Sequence, residues 1–197
     1  MPVSRKRKTK TPKKPSRDRD PRAGLIRDIA HYPVRDCFIS KEWRDRKAAS
    51  ILFSRSHPDG RVAFAAFFVD IGCLGVKSAF ANPAITEAEY SHAVNRLQAG
   101  EEHVGCAPAL ALKLIRGGYQ YAAKLGFKPD PDYFYSREIF GAIDPDSCSE
   151  MIEYGDNGKP LYVAGPNDNA KKVMAHLTRT LGPDGFKFIA PLALPDH

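Results

Sequence analysis

The segment 61–71 constrains the fold more than any other part of the chain. If it is extended, both of its faces are apolar, with Val62, Phe64, Ala66 and Phe68 on one side and Ala63, Ala65, Phe67, Val69 and Ile71 on the other. A strand whose two faces are both apolar belongs inside a sheet that is covered on both sides. We therefore expect residues 61–71 to form a central strand.

Flanking segments extend this sheet. Residues 56–60 read Ser-His-Pro-Asp-Gly, which is typical of a hairpin loop and joins the central strand to a strand at 49–55. A first strand is predicted at 34–39 and a last one at 186–190. A further hairpin is predicted from 151–154 and 161–164, joined through the Gly-Asp-Asn-Gly segment 155–158.

About three helices are predicted between these strands. Thr86 and Glu89 fit a capping box that begins a helix ending near residue 98. A second helix covers 107–125, and its internal Gly117-Gly118 pair indicates close packing against the sheet. A third runs from a cap at residue 167 or 168 to about 181. Hairpins interspersed with helices indicate an α+β fold with a mostly antiparallel sheet, in a single domain over 23–197.

Residues 1–22 differ from the rest in composition. They hold ten basic and two acidic residues, a net charge of +8, whereas the remaining chain has a net charge of −1. Such a segment cannot bury enough apolar area to offset its ordering entropy, so we expect a disordered basic tail. Lysine and arginine bind nucleic acid by releasing condensed counterions, which requires neither a fold nor a base sequence. The residues expected to do so are Arg5, Lys6, Arg7, Lys8, Lys10, Lys13 and Lys14.

The four cysteines are far apart and contain no Cys-x-x-Cys pair. No secretory signal follows the start, and the longest apolar run is too short to cross a bilayer. These features favour free thiols and a cytoplasmic protein without membrane contact. The six histidines show no metal-ligand spacing, so we expect neither a metal site nor a cofactor.

The segment from Asp70 to Lys77 is the candidate catalytic loop. Asp70 ends the central strand on an apolar face, where partial burial would raise its pKa unless it is paired. Asp70 could then serve as a general base or a metal ligand, and Lys77 could stabilise an anion. Alternatively, Cys73 is a nucleophile whose thiolate Lys77 favours. A purely structural alternative has Asp70 accepting turn amides, Lys77 pairing with it and Cys73 filling space.

The stretch Val69-Asp70-x-x-Cys73-Leu74-Gly75-Val76-Lys77 resembles a group of uncharacterised bacterial proteins. Residues 119–127 and 158–166 resemble the same group. The resemblance implies a bacterial setting for the domain, and it carries no established activity.

The leading hypothesis is a non-catalytic bacterial protein that the tail tethers to nucleic acid or to a ribonucleoprotein. The first alternative is a hydrolase-type enzyme that uses Asp70, Cys73 and Lys77. The second alternative is a protein–protein interaction module with an acidic partner.

Overall fold

The computed structural model describes residues 21–190 of the chain, with side chains from residue 24 onward. Its strands are β1 (Val34–Ser40), β2 (Ala48–Ser56), β3 (Val62–Asp70), β4 (Gly75–Ile85), β5 (His103–Gly105), β6 (Leu161–Val163) and β7 (Lys187–Ile189). Its helices are α1 (Pro21–Ile29), α2 (Trp43–Arg46), α3 (Glu87–Gly100), α4 (Pro108–Lys124), α5 (Tyr133–Ser136) and α6 (Ala170–Leu181). Two short 3₁₀ turns, Arg137–Phe140 and Pro145–Ser147, follow α5.

The five strands β1 to β5 form one antiparallel sheet in the order β4-β3-β2-β1-β5. The predicted α+β class and mostly antiparallel sheet are therefore confirmed. The described residues contain more helices than the expected three, because α1 and the single turns α2 and α5 add to α3, α4 and α6.

One face of the sheet carries the main core. The odd-numbered residues of β3, from Ala63 to Val69, are buried there among residues of α1, α4 and α5. The close packing on the sheet that was predicted for Gly117-Gly118 is confirmed for Gly118, since its Cβ would lie 2.6 Å from Val69 Cγ1. Gly75 faces the same helix, and its own Cβ would lie 2.8 Å from the Gly118 carbonyl oxygen. Because Gly75 and Gly118 have no side chains, α4 can approach the β3–β4 turn closely.

The other face is only partly covered. The predicted capping box begins α3: the Glu89 amide donates to Thr86 Oγ1, and the Thr86 amide donates to the Glu89 carboxylate. Tyr90 of α3 packs over Leu52, Val62 and Phe64 in a separate small core. Beyond this helix the face opens, and Phe68 and Phe80 are 38% and 48% exposed. The expectation that β3 is covered on both sides thus holds for the part of the strand beneath α3.

Strand β4 follows Asp70 where the sequence predicted only a loop. Asp70 pairs directly with Gly75, so residues 71–74 are the tight turn of a β3–β4 hairpin. The small residues of β4 and its Pro83 conceal the strand in the sequence. Proline is tolerated there because β4 lies at the edge of the sheet.

The C-terminal segment corrects a second prediction. Residues 151–154 do not form a hairpin with 161–164; strand β6 instead pairs in parallel with β7, and α6 connects them. Tyr154 is held by α4, because its hydroxyl donates to the Lys113 carbonyl at 3.0 Å and its ring lies against Gly117. The unit β6-α6-β7 shares a second core with the β3–β4 turn and the end of α4, around Cys73, Leu125, Tyr162, Ala164 and Leu177.

Among residues 21–190, none of the helices is long and apolar enough to cross a membrane.

Candidate functional site

A cavity of about 530 Å³ lies between the open face of the sheet and the C-terminal unit. The sheet side of its lining comes from residues 46–48 and from the facing ends of β3 and β4. The other side comes from β6 and the loop before α6. The residues that matter chemically are Arg46, Lys47, Phe68, Asp70, Lys77, Leu161, Val163, Pro166, Asn167 and Asp168.

Asp70 lines this cavity from the last position of β3. Its side chain points to the same face as Phe68, two residues earlier in the strand. The Cys73 amide donates to its Oδ1 at 2.8 Å, and the residue is only 7% exposed. Burial raises the pKa of Asp70 to about 6, although the turn amides and the charge of Lys77 oppose that shift.

Lys77 lies in the cavity but forms its ion pair with Asp168. Its Nζ lies 2.7 Å and 2.9 Å from the two carboxylate oxygens of that residue, and both side chains are largely buried. The Gly165 amide also donates to Asp168 at 2.9 Å. Lys77 Nζ lies close to Gly165, where any side chain would contact the ammonium. The pair thus joins the sheet to the C-terminal unit across one side of the cavity.

The other two cations of the lining are paired as well. Arg46 lies 3.1 Å from the Glu42 carboxylate and 3.2 Å from that of Glu101. Lys47 Nζ lies 2.6 Å from the Glu153 carboxylate. No lysine or arginine among the described residues lies within ion-pairing distance of Asp70. The Asp70 carboxyl is therefore the one charged group of the described lining without an ion-pair partner.

Cys73 does not share the cavity. Its side chain is fully buried in the core of the C-terminal unit, and burial raises the pKa of its thiol to about 12. The nearby Asp70 charge contributes to this rise. A thiol in this environment stays protonated and packs as a small apolar group. Of the three residues predicted for catalysis, Asp70 and Lys77 line one cavity, whereas Cys73 lies in the neighbouring hydrophobic core.

The wall of the cavity formed by β6 and the loop before α6 was not predicted from the sequence. Asp168 was expected to cap the last helix, but Asn169 is the cap, and its Oδ1 accepts the Lys172 amide at 3.0 Å. Asp168 instead reaches Lys77, 91 residues away. No local pattern announces such a contact, because it depends on how the C-terminal unit packs on the sheet.

Helix α6 presents a basic surface. It carries exposed Lys171, Lys172 and Arg179 and has no acidic residue. His176 of the same helix lies 2.7 Å from the Leu125 carbonyl, which brings α6 beside the end of α4 between exposed Lys124 and Lys128. None of these five cations forms an ion pair with another residue in the part of the chain that the structure describes. The seven tail residues predicted to bind nucleic acid lie outside the described residues.

Comparison with protein-family models, curated proteins and solved structures gave no match. Within residues 21–190, no group of three or more metal-ligating side chains is gathered in one place.

Proposed function

We propose that the cavity binds a small molecule that joins an apolar body to a protonated amine, and that Asp70 exchanges a proton with this ligand. The observation that carries the proposal is the buried Asp70 carboxyl, which faces the cavity without an ion-pair partner. A buried anion without an ion-pair partner is costly, and a ligand that supplies the partner charge recovers that cost.

The remaining walls suit the apolar part of such a ligand. Phe68, Leu161, Val163 and Pro166 contribute apolar surface around the carboxyl. A volume of about 530 Å³ falls in the range of small-molecule sites, which combine mostly apolar walls with a few polar groups. Anionic ligands are disfavoured, because each described cation of the lining already has a carboxylate partner.

A pKa of about 6 also suits proton transfer, since the carboxyl populates both protonation states near neutral pH. This supports the enzyme hypothesis with Asp70 as its acid–base group. Lys77 then orders the cavity through Asp168 and does not itself stabilise an anion.

The test uses three probes of one size: benzylamine, benzyl alcohol and benzoate. Benzylamine should bind, shift the NMR signals of the Cys73 and Gly165 amides, and bind more tightly as Asp70 ionises between pH 5 and 7. Asp70→Asn should weaken benzylamine at least tenfold and leave benzyl alcohol unchanged. Equal benzylamine affinity in Asp70→Asn, or tighter binding of benzoate, would disprove the proposal.

A second candidate function is association with nucleic acid or a ribonucleoprotein through the tail. The basic surface of α6 favours it, since cations without carboxylate partners are free to neutralise phosphates. A protein that neutralises about six phosphates should lose duplex affinity with a slope of about −5 in log affinity against log salt.

That slope separates the two basic regions. Replacing Lys171, Lys172 and Arg179 by glutamine should make the slope shallower by about 3 if all three contact phosphates. Replacing the seven tail residues by glutamine should remove most of the binding. If neither set changes the affinity for RNA or duplex DNA, this second candidate is excluded.

A further inference from the structure

Two cysteines meet at one edge of the sheet, far from each other in sequence. Cys37 lies in β1, and Cys106 follows β5 directly. Their Sγ atoms are 3.4 Å apart in a thiol–thiol hydrogen bond. Cys37 is 8% exposed and Cys106 is partly exposed, so the pair is reached from solvent through Cys106.

The backbone around the pair suits a covalent bond. Phe38 pairs with Gly105 in the antiparallel ladder of β1 and β5, and the Cys106 amide donates to the Cys37 carbonyl at 2.9 Å. Continuing that register by one residue beyond the end of β5 places Cys37 opposite Cys106, at a hydrogen-bonded position. Such positions have Cα atoms about 5.5 Å apart, inside the range of about 4.4–6.8 Å that disulfides need.

The chemical environment sets the order of attack. The hydrogen bond between the two thiols lowers the pKa of Cys106 and raises that of Cys37. A partly exposed thiol with a lowered pKa is the more reactive nucleophile. Cys37 lies beside it, within reach to act as the second thiol of an exchange reaction.

We propose that Cys37 and Cys106 form a reversible disulfide by exchange with a small-molecule disulfide, such as oxidised glutathione. The Cys106 thiolate attacks one sulfur of the small disulfide and releases one small thiol, which leaves a mixed disulfide. The Cys37 thiolate then attacks Cys106 Sγ and releases the second small thiol. The two cysteines lose two electrons and their two protons, and the small disulfide becomes two thiols.

The test is oxidation of the full chain with oxidised glutathione, followed by alkylation in denaturant and mass mapping. The oxidised protein should lose two hydrogen atoms, and its alkylated cysteines should fall from four to two. The mapped bridge should join Cys37 to Cys106, and dithiothreitol should restore four thiols. The closed loop of about 70 residues should raise the melting temperature by about 10 °C.

Matched variants separate this pair from the other cysteines. Cys106→Ser should abolish the bridge and its melting shift, because position 106 is partly exposed and tolerates the change. Cys148→Ser should retain both effects, since Cys148 lies elsewhere and is also partly exposed. The proposal is overturned if the wild-type chain keeps four alkylatable thiols, stops at a glutathione adduct, or forms a bridge that includes Cys73 or Cys148.

Discussion

Asp70→Asn gives the sharpest prediction about stability. The pKa of Asp70 is about 6 in the folded protein and about 3.9 in an unfolded chain. Because the folded pKa is the higher one, the folded state favours the protonated carboxyl. The stability associated with that proton is fully present below about pH 4, and it is lost as the pH rises through 6.

The size of this effect follows from the gap between the two pKa values. A gap of about 2 corresponds to about 3 kcal/mol of unfolding free energy, of which about 2.5 kcal/mol falls between pH 4 and pH 8. Asparagine has the same shape, keeps an oxygen for the Cys73 amide and does not titrate. The free energy of unfolding of Asp70→Asn, relative to wild type, should therefore rise by about 2.5 kcal/mol from pH 4 to pH 8.

Urea denaturation at several pH values measures this difference directly. Asp184→Asn is the matched control: its carboxylate is exposed, and the substitution should stay within about 0.5 kcal/mol of wild type at every pH. A constant difference between Asp70→Asn and wild type across the range would refute the reasoning. It would mean that the turn amides offset the burial of the carboxylate completely.

Two further predictions concern packing and the ion pair. Gly118→Ala should destabilise the fold by about 1–3 kcal/mol, because the added Cβ would overlap Val69. Gly100→Ala is the control and should be neutral or stabilising, because no other atom lies near that position. Thermal unfolding of the two variants measures the difference. A double-mutant cycle with Lys77→Met and Asp168→Asn should give a coupling energy of about 1–2 kcal/mol, since both side chains are largely buried. Additive losses in urea denaturation would show that the pair does not hold the C-terminal unit to the sheet.

Local signals in the sequence predicted the elements that depend on local chemistry. The capping box at Thr86 and the turn at 56–60 correspond directly to the structure, and the apolar faces of β3 do so for the part of the strand beneath α3. The paired glycines of α4 also indicated close packing, which Gly118 makes against the sheet and Gly117 makes against Tyr154. The capping box and the turn are set by neighbouring residues alone, whereas the glycines and the faces of β3 only indicate that something packs there.

The failures share another cause. Strand β4 is rich in small residues and derives its stability from pairing with β3. The hydrophobic periodicity of a sequence gives no signal of such pairing. The parallel pairing of β6 with β7 depends on α6 crossing between them. The cavity could not be predicted from the sequence for the same two reasons, since it lies between β4 and the C-terminal unit. Asp70 and Lys77 were found because they flank one tight turn, and Asp168 was assigned another role because its partner is distant.

The cavity lies beside a second hydrophobic core, which β6-α6-β7 forms together with the β3–β4 turn and the end of α4, apart from the main core beneath the five-stranded sheet. A compound that touches Phe68 on one side and Val163 on the other would bind only when both cores are folded and docked. By mass action, such a compound stabilises the docked arrangement in proportion to its concentration above its dissociation constant. Occupancy would then make the two units unfold as one cooperative body, and a calorimetric trace with separate transitions would merge into a single peak as ligand is added.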